Sequence, residues 1–211
     1  MKRTAFYRFG GIAAVIAALV CTGCFGKSQS TRFYTLSAMA NETDVALQEG
    51  TVRDIAVGIG PIKMAAYLDR SKIVTRTGGN RIELAEYDEW AGSFEDNLKN
   101  VLADNIGVLV PTERIYLYPW RTTQPIDYQV VLDIVRLDGR LGEEVQLEVR
   151  WQVLAGEKQE LLAVKRSSLT ETVSGPDYED LVAAQSRALA KLSREIVETI
   201  HADSRTRLPA N

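Results

Sequence analysis

Residues Val145 to Val153 alternate without a break: Val145, Leu147, Val149, Trp151 and Val153 are apolar, while Gln146, Glu148, Arg150 and Gln152 are polar. Successive side chains of a strand point to opposite faces, so this pattern requires one face on a core and the other in water. Such a strand favours antiparallel neighbours, because parallel sheets are covered on both faces. Tyr128, Val130, Leu132 and Ile134 line one face of a long strand just before it, and Glu160 to Thr172 supplies a further strand after it. A half-wetted sheet of this kind must find a covering layer, and two amphipathic stretches can provide one. Trp90, Phe94, Leu98, Val101, Leu102 and Ile106 recur at helical spacing, with Asp88 expected as N-cap, Glu89 at the positive helix end, and Gly107 and Pro111 as the stop. Ser174-Gly-Pro-Asp177 opens a second long helix with the stripe Leu181, Ala184, Ala188, Leu192, Ile196 and Ile200, and its tail from Ala202 to Asn211 is expected to fray.

Earlier in the chain, Arg32 to Leu36 has strand composition, and Ser37 to Arg53, polar and acidic without a period, reads as a loop. Asp54 to Pro61 alternates as a strand that stops at the proline. Lys72–Thr77 and Arg81–Ala85 form a hairpin across Gly78-Gly79-Asn80, whose glycines permit the positive φ of a tight turn. Arg114 to Tyr118 is a short strand ending at Pro119-Trp120. The expected fold is α/β, an αβ sandwich: a mixed, largely antiparallel sheet packed with two long helices, over residues 32–203, with 204–211 as a tail.

The first residues set the compartment. Lys2, Arg3 and Arg8 precede the nine-residue apolar run Ile12 to Val20, short of the ~20 residues that span a bilayer, and small residues come after it. That is a secretory signal peptide over 1–23. Leu19-Val-Cys-Thr-Gly-Cys24 resembles a bacterial lipobox, in which the cysteine thiol accepts a diacylglyceryl group before cleavage, although Cys21 stands where leucine is usual. Residues 24–31 then form a lipidated tether. Cleavage before Cys24 takes the net charge from -3 to -6, removes Cys21, and leaves the Cys24 thiol consumed by lipid. The expected product is an anchored domain without a disulfide or a thiol nucleophile, held by its core.

Little in the chain supports catalysis. There is one histidine, His201, so paired-histidine zinc sites are excluded within one chain. Gly58-Ile-Gly60-Pro61 lacks the third glycine and the helix start of a dinucleotide cradle, and there is no P-loop or nucleophile elbow. Glu83, Glu86, Asp88 and Glu89 read as a solvated strand end and a negative first helical turn, and Glu143-Glu144 as a hairpin connection. The mild acidity argues against nucleic acid. The chain is expected not to be an enzyme and to need no cofactor beyond the covalent lipid on Cys24. The more unusual stretch is Tyr67-Leu-Asp-Arg70 through Arg76, where Tyr67, Asp69, Arg70, Lys72 and Arg76 gather an aromatic and charges suited to a protein contact. Trp120 is a second candidate for that contact or for the core.

These segments together resemble the ABC-type transport auxiliary lipoproteins, the PqiC-like (paraquat-inducible protein C) group. The resemblance rests on FYTL, on VGIGPIKMAAYLDRSKIVTRTGGNRIELAEYDEWAG, on LYPW, on DYQVVLDIVRLDG, on LEVRW and on AAQSRALAKLSREI, in that order over almost all of 32–201. It implies an αβ sandwich and a periplasmic accessory role beside an MCE-domain protein and ABC transporter subunits that move lipids or other hydrophobic molecules between two membranes. It offers no catalytic residues. Phe25, in place of an inner-membrane-retaining Asp after the cysteine, implies the periplasmic face of the outer membrane. The alternative is an independent periplasmic lipid-binding carrier, for which a strictly alternating two-layer core leaves no surplus apolar surface. Oligomeric state stays open, a ring or other homo-oligomer around an elongated partner among the options.

Overall fold

The structure, a computed structural model, describes residues 29–39, 55–110, 112–121, 123–156 and 158–207. The signal peptide, Cys24, most of the tether, the loop from Ala40, Asp54, Pro111 and the last four residues of the tail lie outside the described residues. The compact folded unit begins at Arg32.

Among the described residues ten elements build it: β1 (Arg32–Tyr34), β2 (Val57–Met64), β3 (Lys72–Arg76), β4 (Ile82–Trp90), α1 (Phe94–Leu109), β5 (Ile115–Leu117), β6 (Tyr128–Gly139), β7 (Glu144–Ala155), β8 (Glu160–Thr172) and α2 (Tyr178–Arg207). They form two sheets rather than one. The larger has the order β5-β2-β6-β7-β8 and the smaller β1-β4-β3. Both are mixed: β2 runs parallel to β5 and to β6, and β1 parallel to β4, while β6-β7, β7-β8 and β3-β4 are antiparallel. The α/β class and the covering role of two long helices are therefore as the sequence patterns indicate.

The alternating strand behaves as its pattern demands. Val145, Leu147, Val149, Trp151 and Val153 are buried, and they register against Gly139, Leu137, Ile134, Leu132 and Val130 of β6. Leu98, Leu102 and Ile106 of α1 and Leu181, Leu189, Leu192 and Ile196 of α2 close one core with these strands. Each such aliphatic side chain, fully withdrawn from water, contributes on the order of 1.5–3 kcal/mol. Polar clasps fix α2 on the sheet: Trp151 Nε1 donates to Ser167 Oγ at 2.9 Å, and Ser167 Oγ donates to Glu195. Arg187 and Lys191 of α2 pair with Glu171 of β8.

Several local expectations are corrected. Asp88 does not cap a helix: Asp88, Glu89 and Trp90 end β4, and α1 starts at Phe94 with Ser93 as N-cap, its hydroxyl accepting from the Asp96 amide at 3.2 Å. The reason is Asp88's own burial, since it accepts from Arg32 Nε at 2.7 Å, Arg32 Nη2 at 3.1 Å and the Tyr34 hydroxyl at 2.7 Å on the neighbouring β1. The acidic run is thus a strand, with one acid turned inward. Trp90 stacks on Phe94 with ring centroids 4.5 Å apart, which ties the strand end to the helix start. Gly107 lies inside α1, whose stop is Val110.

Pro61 does not end β2; the ladder to β6 skips from Ile59 to Ile62, so Gly60 and Pro61 form an irregularity that excludes the missing proline N–H from pairing. The hairpin between β3 and β4 uses a five-residue loop, closed by the Thr77 amide on Arg81 O at 3.1 Å, and neither Gly78 nor Gly79 needs positive φ. The tail does not fray at Ala202: α2 continues to Arg207.

Candidate functional site

The segment from Ala65 to Ser71 leaves β2 and enters β3, and it is pinned at both ends and in the middle. Ala65 N–H donates to Ile134 O at 2.9 Å, Leu68 is buried, and Ser71 O accepts the Trp90 amide at 2.7 Å. Between these anchors Tyr67 turns inward and its hydroxyl donates to Asp138 Oδ2 at 2.6 Å. Asp69 and Arg70 are left exposed at the tip, with no ion partner among the described residues. Sequence-adjacent residues thus split into an inward group and an outward group.

The inward group centres on Asp138, whose side chain is fully buried. Arg76 grips it with two bonds, Nε to Oδ1 and Nη2 to Oδ2, both 2.9 Å, and Arg136 Nε donates to Oδ1 at 2.9 Å. With Tyr67 the carboxylate accepts four bonds, which joins β3 of the smaller sheet, β6 of the larger sheet and the segment between β2 and β3. Arg76 Nη1 reaches Gly79 O at 3.0 Å, so the same guanidinium also holds the hairpin loop. Arg136 Nη1 donates to Gln146 on β7.

Burial pushes the Asp138 carboxyl upward, but the bonds from Arg76, Tyr67 and Arg136 outweigh it and hold the group below its ordinary range. Burial likewise raises the Tyr67 phenol, and its bond to the carboxylate adds to this. The bond to Asp138 raises Arg76, which stays charged. At another buried acid, Asp88, burial and then that acid push Tyr34 up to about 12. Two cations, Arg76 and Arg136, bond the one anion at Asp138, and Arg140, near enough to feel Arg76, is held by Glu143, so the charges around the cluster are paired.

Trp120 does not join this group. Its indole lies against Gly58, near the start of β2, where a Cβ on the glycine would come within 3.1 Å of the ring. Val57 pairs with Tyr128 at the start of β6, whereas Asp138 is near its end, about 30 Å along a strand at ~3.3 Å per residue. Tyr118 meets Trp120 edge to face with centroids 5.4 Å apart. Lys72 turns back to Glu86 O at 2.8 Å.

Asp138 and Arg136 are site residues that the sequence patterns do not single out. By the parity of Tyr128, Val130, Leu132 and Ile134 they would share that buried face of β6. The ladder to β7 shifts between Ile134 and Arg136, however, so Leu137 comes opposite Leu147, and Asp138 pairs with Gln146 on the other face. The available signal is the pair of opposite charges two residues apart, which interrupts an otherwise apolar strand face.

Among the described residues no group of three or more His, Cys, Asp or Glu side chains is gathered as a metal ion requires. No described helix is long and apolar enough to cross a membrane.

A family model described as ABC-type transport auxiliary lipoprotein component matches residues 34–197. Among solved structures, the fold is similar to that of protein XCC0632 from Xanthomonas campestris, of family DUF330, at 15% identity and a TM-score of 0.67, covering 84% of this chain and 100% of that one. It is also similar to the crystal structure of an uncharacterised protein at 17% identity and a TM-score of 0.65, covering 82% and 99%. No curated protein matches the chain by sequence.

Proposed function

The chain belongs to the family of ABC-type transport auxiliary lipoprotein components, and from that premise we propose that it is the non-catalytic docking subunit of an MCE-type transport system. The anchor in this reading is the lipid on Cys24, and Phe25 supports the periplasmic face of the outer membrane as its seat. The folded domain grips the MCE-domain protein, whose ABC transporter subunits supply the energy for moving lipids or other hydrophobic molecules.

The observation that carries the docking role is the exposed Asp69-Arg70 tip, held by Leu68 in the core and by Tyr67 on Asp138. A contact loop held on both sides loses little conformational freedom on binding, so more of the contact energy appears as affinity. The exposed, adjacent opposite charges of Asp69 and Arg70 offer a partner one acidic and one basic contact. Tyr67 and Arg76 serve this surface from beneath, as the residues that set the tip in place.

The test is charge reversal at the tip. Arg70→Glu and Asp69→Lys are exposed substitutions expected to leave stability within about 0.5 kcal/mol. In the reading proposed, Arg70→Glu lowers recovery of the transport partner about tenfold or more on affinity purification while the melting temperature is unchanged. Full recovery of the partner by both variants would remove the tip from the interface.

A further inference from the structure

At the far end of β2 from the docking tip lies a cleft of about 450 Å³, within the usual ~300–1,000 Å³ of small-molecule sites. One wall is Trp120, half-buried and steadied by Tyr118. Facing it are Thr123, Gln124, Gln129 and Gln159, with Ile126 on the apolar side, and no charged side chain lines the cleft among the described residues. The amides are ordered by one another. Gln129 Nε2 donates to Gly60 O at 2.9 Å, and its Oε1 accepts from Gln159 Nε2 at 3.1 Å. Gln124 Oε1 accepts the Arg121 amide at 3.0 Å. The exposed Gln159 side-chain carbonyl and the half-buried Gln124 amide nitrogen have no bond to another described residue, which leaves one acceptor and one donor open to water or a ligand.

Gln159 carries a further mark. It is the non-glycine residue with positive φ among the described residues, at 52°, in the turn closed by its amide on Gly156 O at 3.0 Å. A residue with a Cβ holds that left-handed conformation at an energetic cost that glycine avoids. Gly156 at φ 69° and Gln159 at φ 52° shape the turn between β7 and β8, and that turn sets the Gln159 side chain at the cleft.

We propose that this cleft binds a neutral oligosaccharide. Sugar hydroxyls donate and accept at once, which matches paired amide and hydroxyl groups better than fixed charges. The apolar C–H face of a pyranose fits flat against an indole, which offers large contact area at low entropic cost. A proline-rich peptide is the competing occupant of an aromatic cleft, but it presents mainly acceptors and would leave the ordered amide donors and acceptors unevenly used.

The experiment uses the lipidated chain in a detergent without a sugar headgroup, titrated with triacetylchitotriose and with maltotriose by calorimetry and tryptophan fluorescence. Trp90 and Trp151 are 5% and 1% exposed, so a fluorescence change reports Trp120. Saturable binding in the millimolar range is expected. Preference for triacetylchitotriose assigns the site to cell-wall-type glycan, and preference for maltotriose to a glucan. Trp120→Ala weakens binding about tenfold or more by calorimetry. Gln159→Gly weakens it about fivefold while the melting temperature holds or rises, since the strain is relieved as the hydrogen-bonding group is lost. No saturable response to either sugar, binding indifferent to both substitutions, or a response to a proline-rich peptide alone would each overturn the proposal.

Discussion

Asp138→Asn is expected to lower the stability of the domain by about 3–5 kcal/mol, the usual cost of removing one partner from a buried ion pair. The carboxylate is fully buried while Arg76 and Arg136 are 17% and 23% exposed, so its loss strands two cations that water reaches poorly. An asparagine also presents an N–H group to guanidinium donors, which leaves hydrogen bonds unmade on both sides. For a domain of this size the melting temperature should fall by roughly 10 °C.

The same group sets an acid limit. Its folded pKa lies below the ordinary ~3.9 of an aspartate, so its contribution is complete above that value and is lost as pH falls through the folded value. The tyrosines act at the other end: Tyr34, raised from about 10 to about 12, contributes fully below pH 10 and loses its contribution as pH rises toward 12. Thermal melts of wild type and Asp138→Asn across pH 3 to 7 test the acid side. The gap between the two curves should begin to narrow as pH falls below about 4, and a gap that stays constant down to about pH 3 would show that the charge is not what the variant removes.

Gly139→Val should be of similar severity for a different reason. A Cβ at Gly139 would sit 2.2 Å from Glu144 O and 2.7 Å from Val145 Cα, both backbone atoms of the paired strand. Backbone cannot rotate away as a side chain does, so the β6-β7 ladder must open where Gly139 registers with Val145. Overpacking in a well-formed core costs about 1–3 kcal/mol, and here it also disturbs the neighbour Asp138, so a loss toward or beyond the upper figure is expected. Gly139→Ala separates the causes, since it adds the clashing Cβ without the bulk. Both variants should lower the denaturant midpoint, and an unaltered midpoint for Gly139→Ala would mean that the strands separate there at no cost.

How far this chain reveals its own fold depends on how local each cause is. Strands β6, β7 and β8 and helix α2 carry their signals over a dozen residues or more, and their placement needs no knowledge of neighbours. The start of α1 is misplaced by local rules because Asp88 satisfies the pattern of an N-cap, while its partners Arg32 and Tyr34 lie over fifty residues away. Pro61 is a stop signal by the same rules and a tolerated irregularity once β6 pairs around it. The smaller sheet gains its third strand because β1 pairs β4, and the distant Arg32–Asp88 pair helps to hold that choice.

The candidate site shows the same limit. Tyr67 and Arg76 stand out as an aromatic and a cation in one segment, but the acid that collects them is on β6, over sixty residues on. Simple alternation misassigns the face of Asp138, because the register shift after Ile134 arises from pairing with β7, and its one local mark is the Arg136 and Asp138 charges that break the apolar face.

A lipoprotein that works by gripping a transport partner should carry that partner with it out of the membrane. The decisive measurement is affinity purification of the tagged, lipidated chain from its own envelope in mild detergent, with mass spectrometry of proteins and lipids together, beside the Arg70→Glu variant. Docking predicts an MCE-domain protein with ATPase and permease subunits in the wild-type eluate and their loss from the variant. Lipid recovered with wild type and no such protein would contradict docking and leave an independent lipid carrier in its place.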